Sequence, residues 1–214
     1  MCFRMDWRAD LYIKRYIRNH FRYIHALQCA AARVVQRLRE RTLQQSNGIT
    51  DLFHTIHVRR GDFKVKHAWA PAATILKKLD TTILLNATLY IATDERNKSF
   101  FEGFHHYYQV YFLNDFKKEL EGIHLNYFGM IDQLISARGD SFFGCYWSTF
   151  SGYINRLRGY HSQTGKQRGW EKGVLTTFLT DYTAPCANTS PSSNPYKLES
   201  IHLAGWTSTT TFGR

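Results

Sequence analysis

Three short segments of this 214-residue chain set ionisable or hydrogen-bonding side chains directly behind apolar runs. Leu52–Val58 empties into Arg59-Arg60-Gly61-Asp62. Leu89-Tyr90-Ile91-Ala92 ends in Thr93-Asp94-Glu95. Ser141-Phe142-Phe143-Gly144 is followed shortly by Ser148-Thr149-Phe150-Ser151. An arginine offers a planar fork of donors that matches phosphate oxygens. Hydroxyls opening a helix add to its unpaired backbone N–H groups and its positive dipole end, which together make an anion site. Ser148 has a second reading, in which it only caps its helix. Metal chemistry finds less support. Asp94-Glu95 lack a nearby His or second carboxylate cluster, and His105-His106 are adjacent and would point apart on a helix. Cys2, Cys29, Cys145 and Cys186 form no Cys-x-x-Cys pair. No Gly-x-Gly-x-x-Gly opens a helix and no Walker loop is present.

Such segments need a scaffold. Residues 11–42 predict one long amphipathic helix, with Ile13, Ile17, Phe21, Ile24, Leu27, Ala31, Val34 and Leu38 at three- and four-residue steps. Leu52–Val58 predicts a strand. Further helices are expected over Pro71–Asp80, Arg96–His106, Gly129–Arg138 and Ser148–Arg158, the last closing near Gly159. Strands are expected at Leu89–Ala92, Gln109–Leu113 and Ser141–Gly144. Strands alternating with helices predict an α/β fold, a Rossmann-like parallel sheet with flanking helices. Ligands of such sheets bind outside the carboxyl ends of the strands, where the three polar segments would meet. The pattern weakens beyond Tyr160, and Thr183–Pro195 holds three of the four prolines and reads as a loop. The expected organisation is a basic helix and turn (1–50), a Rossmann-like domain (51–182) and a Ser/Thr/Pro-rich loop and tail (183–214).

The chain is 43% hydrophobic, too apolar for a disordered segment, yet no run approaches the ~18 apolar residues of a membrane span. Met1–Asp10 carries charges and no apolar core of a signal peptide. Net charge is +11, and residues 1–50 hold ten Lys/Arg against three Asp/Glu. That balance suits a polyanion partner or a solvated basic helix face. The second reading is favoured, because aromatics do not interleave with the arginines as on a base-stacking platform. The sequons at Asn86, Asn97 and Asn188 are compatible with a secretory-pathway lumen.

Four motifs in order carry a family likeness. They are His57-Val58-Arg59-Arg60-Gly61-Asp62-Phe63, Ile91-Ala92-Thr93-Asp94, Ile131-Asp132-Gln133-Leu134 leading to Phe142-Phe143-Gly144, and Ser148-Thr149-Phe150-Ser151. Together they resemble the GDP-fucose protein O-fucosyltransferases, closest in arrangement to the type that modifies thrombospondin-type repeats. The likeness covers residues 50–160. It implies the carboxy-terminal, donor-binding half of a GT-B glycosyltransferase, with metal-independent, inverting transfer of fucose from GDP-fucose to a protein hydroxyl. By the same likeness, Arg59 would be catalytic, binding the β-phosphate and stabilising it as leaving group. His57 would contact the nucleotide from the strand end, and Asp132 would accept from the guanine N–H groups. Ser148, Thr149 and Phe150 would line the phosphate and base site, while Asp94 would shape the loop beside the nucleotide or touch it. No cofactor or metal, no nucleic-acid partner and a lumenal location in the endoplasmic reticulum or Golgi are implied. Members of the family are about double this length, with an amino-terminal domain that carries the acceptor surface. This chain is therefore expected to be a fragment or shortened form, the alternative being a non-catalytic nucleotide-sugar-binding module.

Overall fold

The computed structural model describes residues 7–61, 70–145, 148–165 and 176–178. Two helices, α1 (Trp7–His20) and α2 (His25–Gln45), precede strand β1 (His54–Val58). Helix α3 (Ala72–Asp80), β2 (Thr88–Thr93), a 3-10 helix (Lys98–His106) and β3 (Gln109–Tyr111) follow. Two short 3-10 turns then lead to α4 (Phe128–Ser136), β4 (Phe142–Gly144), α5 (Thr149–Gly165) and β5 (Thr176–Phe178).

The five strands form one sheet in the order β3-β2-β1-β4-β5, and every pairing is parallel. Ile56 of β1 sits opposite Ile91 of β2 on one side and Phe143 of β4 on the other. The strands are apolar along their length because both faces are covered. Leu89 and Ile91 face α3 and the 3-10 helix, where Ile75, Leu79, Phe101 and Phe104 are sealed from solvent. Tyr90 and Ala92 point the other way, into a core with Ala30, Val34 and Leu38 of α2 and Ile131 and Ile135 of α4. Each such aliphatic side chain contributes roughly 1.5–3 kcal/mol by leaving water. Successive strands are added outward on opposite sides of β1, so the strand order reverses between β1 and β4, and the crevice at their carboxyl ends is the natural ligand position.

The α/β architecture is as expected, with differences in detail. The long helix over 11–42 is two helices. The amide of Phe21 closes α1 on the carbonyl of Ile17, and extended backbone at Ile24 (φ −55°, ψ 152°) opens α2. The break lets the Tyr23 hydroxyl donate to Oε1 of Gln133 on α4 while its ring packs edge-on to Tyr153 of α5. Leu27, Ala31, Val34 and Leu38 are buried, whereas Ile13, Ile17, Phe21 and Ile24 of the same stripe are exposed. The helix over 96–106 is 3-10, opened by the Asn97 side chain accepting from the Ser99 amide. Helix α5 runs past Gly159 to Gly165. Asp62, Phe63 and the tail 183–214 lie outside the described residues.

Three arginines of α2 engage neighbouring groups of the fold. Arg33 donates to the carbonyl of Glu119, Arg37 pairs with Glu40 and Glu119, and Arg41 lies over the rings of Tyr111 and Phe116. Among the described residues no helix is long and apolar enough to cross a membrane.

Candidate active site

The site begins where β1 ends. Asp94, just past β2, receives the backbone amides of Arg60 (2.8 Å) and Gly61 (3.0 Å) and lies 3.0 Å from the Arg59 guanidinium. One carboxylate thus fixes the loop backbone and orients its first arginine. Gly61 is required by close approach, since a Cβ there would stand 2.6 Å from Asp94 Oδ2. Arg60 has a separate anchor, pairing with Glu95 at 2.9 Å and lying 4.1 Å over the Phe100 ring. Of the two arginines, Arg60 is thereby tied to the β2 side of the loop.

Across the crevice, β4 delivers the chain to α5. Ser148 precedes the helix and is buried, its amide donating to the carbonyl of Cys145. Its hydroxyl oxygen accepts from the Ser151 amide at 3.5 Å, a long capping contact. Thr149 is exposed at the first helical position, and Phe150 is half-buried. The amino terminus of this 17-residue helix brings orphan N–H groups and positive potential to the end of β4.

His57 joins the two sides. It is 3% exposed and tilts 4.5 Å from the Phe150 ring. Its Nδ1 lies 2.7 Å from Ser151 Oγ, which also accepts the Cys145 amide at 2.9 Å. Burial pushes the imidazole down to about 4, with Asp94 opposing and Arg59 reinforcing that shift, so the ring is neutral. The first turn of α5 therefore touches a residue two positions from Arg59, and the polar ends of β1, β2 and β4 meet at one place.

Asp132 lies apart from this contact network. On α4 it is half-buried, and its Oδ1 accepts from the hydroxyl of Tyr90, a fully buried residue. Burial pushes its carboxyl up to about 7, while the Tyr90 bond and the Lys98 ammonium pull it back. The lowered acidity of Tyr90 has the same roots, burial first and then the Asp132 charge. Tyr90 and Ser151 make contacts at this end of the sheet that the sequence left unassigned. Ser151 stood within a quoted motif, but its partner is 94 residues away. Among the described residues no group of three His, Cys, Asp or Glu side chains could hold a metal ion.

Comparison with solved structures finds similarity to a crystal structure of POFUT1 in complex with GDP. That match has 14% identity and a TM-score of 0.39, and it covers 68% of this chain and 46% of that one. POFUT1 in complex with GDP-fucose matches at 12% identity and a TM-score of 0.38, covering 67% of this chain and 45% of that one. The chain thus spans less than half the length of these solved proteins. No curated protein sequence matches it. The family model for GDP-fucose protein O-fucosyltransferase matches residues 3–161, so most of this 214-residue chain, and every residue of the site just described, belongs to that family.

Proposed function

We propose that this chain binds GDP-fucose in the crevice between β1 and β4 and serves as the donor-binding half of a GT-B protein O-fucosyltransferase. The observation that carries this reading is the Arg59–Asp94 clamp at 3.0 Å, set at the strand-order reversal beside the amino terminus of α5. A guanidinium held by a carboxylate, and a helix terminus joined to the same strand end through His57, are fixed donors. Fixed donors stabilise the negative charge that grows on a departing diphosphate without reorganising.

In this reading Arg59 stabilises the β-phosphate, His57 and Phe150 flank the nucleotide, and Ser148 and Thr149 donate to the phosphates. Asp132 accepts from guanine, whose adjacent N–H groups suit a carboxylate. Asp94 positions Arg59 and does not itself touch the nucleotide. Transfer is metal-independent and inverting, with fucose passing to a protein hydroxyl in the secretory-pathway lumen.

Calorimetry with GDP, GDP-fucose, ADP and UDP tests the binding step. Guanosine ligands should bind and the others should not. Absence of GDP binding at millimolar concentration would refute the reading. Incubation with labelled GDP-fucose and folded thrombospondin-type or epidermal-growth-factor-like repeats tests transfer, and separates an enzyme from a nucleotide-sugar-binding module.

A further inference from the structure

A neutral histidine has one N–H, and the nitrogen that carries it decides whether the ring offers a donor or a lone pair to a ligand. The surroundings of His57 settle the choice. The Cys145 amide can only donate, and it donates to Ser151 Oγ at 2.9 Å. Ser151 Oγ lies 2.7 Å from His57 Nδ1. If Nδ1 carried the proton, two N–H groups would converge on the serine oxygen and its own hydroxyl proton would have no acceptor among the described residues, a costly state for a residue 2% exposed. With the hydroxyl donating to Nδ1, the Cys145 amide, the Ser151 hydroxyl and Nδ1 all have partners. The imidazole proton then sits on Nε2.

The trio is held rigidly. Gly144 on β4 leaves room for Ser151, since a Cβ there would stand 3.0 Å from both Cβ and Oγ of the serine. The Phe150 ring covers one face of the imidazole at 4.5 Å. Nε2 has no hydrogen-bond partner among the described residues and is not among the sealed, unpaired polar atoms. It is the nitrogen left to meet something in the crevice.

We infer that Ser151 is a positioning residue that locks His57 in the Nε2–H tautomer, making it a fixed neutral donor to the diphosphate of the nucleotide. The donor role rests on the proposed function; the tautomer lock does not. The neutral donor would act beside the Arg59 guanidinium, which Asp94 holds two residues along the chain.

Long-range ¹H–¹⁵N correlation spectra of histidine-labelled protein without ligand test the lock, with His57→Gln identifying the signal. The wild type should show His57 with its proton on Nε2, and Ser151→Ala should give a mixture of tautomers. A wild-type Nδ1–H signal overturns the lock, and needs no variant to fold. An unmixed Nε2–H signal in Ser151→Ala overturns it as well. In calorimetry, Ser151→Ala should bind GDP about three- to tenfold more weakly, the loss of one hydrogen bond. Unchanged GDP affinity beside a changed tautomer overturns the donor role. Failure of the wild type to bind GDP overturns the donor role together with the proposed function, and leaves the spectra to decide the lock.

Discussion

Arg59 and Asp94 face each other across the ends of β1 and β2, with Nη1 3.0 Å from Oδ2, and the same carboxylate holds the amides of Arg60 and Gly61. The arginine is therefore oriented through the loop that carries it. Asp94→Ala should release both and lower GDP affinity about 10- to 100-fold, the range for losing hydrogen bonds to a charged group. Gly61→Ala should act in the same direction, because its Cβ would displace the carboxylate. Calorimetry checks both. Wild-type affinity in Asp94→Ala would show that the clamp does not position Arg59.

Arg59 itself is expected to act on the transition state. Arg59→Ala should reduce fucose transfer by about 10²–10³, the usual loss for one donor aimed at developing negative charge. Arg59→Lys should not restore it, since an ammonium cannot reproduce the planar fork that the Asp94 contact orients. Transfer assays with labelled donor give the comparison, and full activity in the lysine variant would rule out bidentate recognition.

Tyr90 reaches the proposed guanine site through Asp132. Its hydroxyl lowers the carboxyl of a residue that burial otherwise raises. Lys98 also faces this carboxylate, and Asp115 acts on Tyr90 and Lys98. Guanine recognition needs the ionised form, so GDP affinity should rise with pH through about 7. Tyr90→Phe removes a stabilising bond to the carboxylate and should move that midpoint upward. At neutral pH GDP should bind several-fold more weakly, recovering in alkali, and discrimination against inosine diphosphate should shrink. A midpoint unmoved in Tyr90→Phe would show that Tyr90 does not tune Asp132.

The first four strands were readable from sequence because a parallel sheet covered on both faces leaves near-continuous apolar runs such as Leu89–Ala92, whereas β5 (Thr176–Phe178), beyond Tyr160, was not. The polar strand ends were readable for the same reason, each standing out against its run. The break at 21–24 was not. Phe21 and Ile24 continue the helical period, and only the tertiary contacts of Tyr23 with Gln133 and Tyr153 show why the chain turns there. Tyr90 looked like one more apolar strand residue, because its hydroxyl partner lies 42 residues away. Asp94 was expected beside the nucleotide, shaping the loop or touching it, with no partner named. The backbone amides that occupy it belong to a loop joined to it only by strand pairing, with Val58 opposite Thr93.

Two groups shifted by desolvation, the buried His57 and the half-buried Asp132, should oppose each other in the acid stability of the fold. His57 titrates at about 4 when folded against 6.5 unfolded, so its contribution is fully present above 6.5 and is lost as pH falls toward 4. Asp132 titrates at about 7 when folded against 3.8 unfolded, so its contribution is present in acid and is lost as pH rises toward 7. Each slope is roughly 1.4 kcal/mol per pH unit, and the signs are opposite between about pH 4 and 6.5. In the wild type they largely cancel. Asp132→Asn removes one of them and leaves the His57 slope, to which His54, also lowered by burial, adds. Urea unfolding at several values between about pH 4.5 and 6.5 should therefore show Asp132→Asn losing stability on acidification faster than the wild type by roughly 1.4 kcal/mol per unit. Surface carboxylates are common to both proteins and drop out of that difference. Parallel pH profiles for the two proteins would mean that Asp132 is already ionised in the fold, and that the Tyr90 bond outweighs its burial.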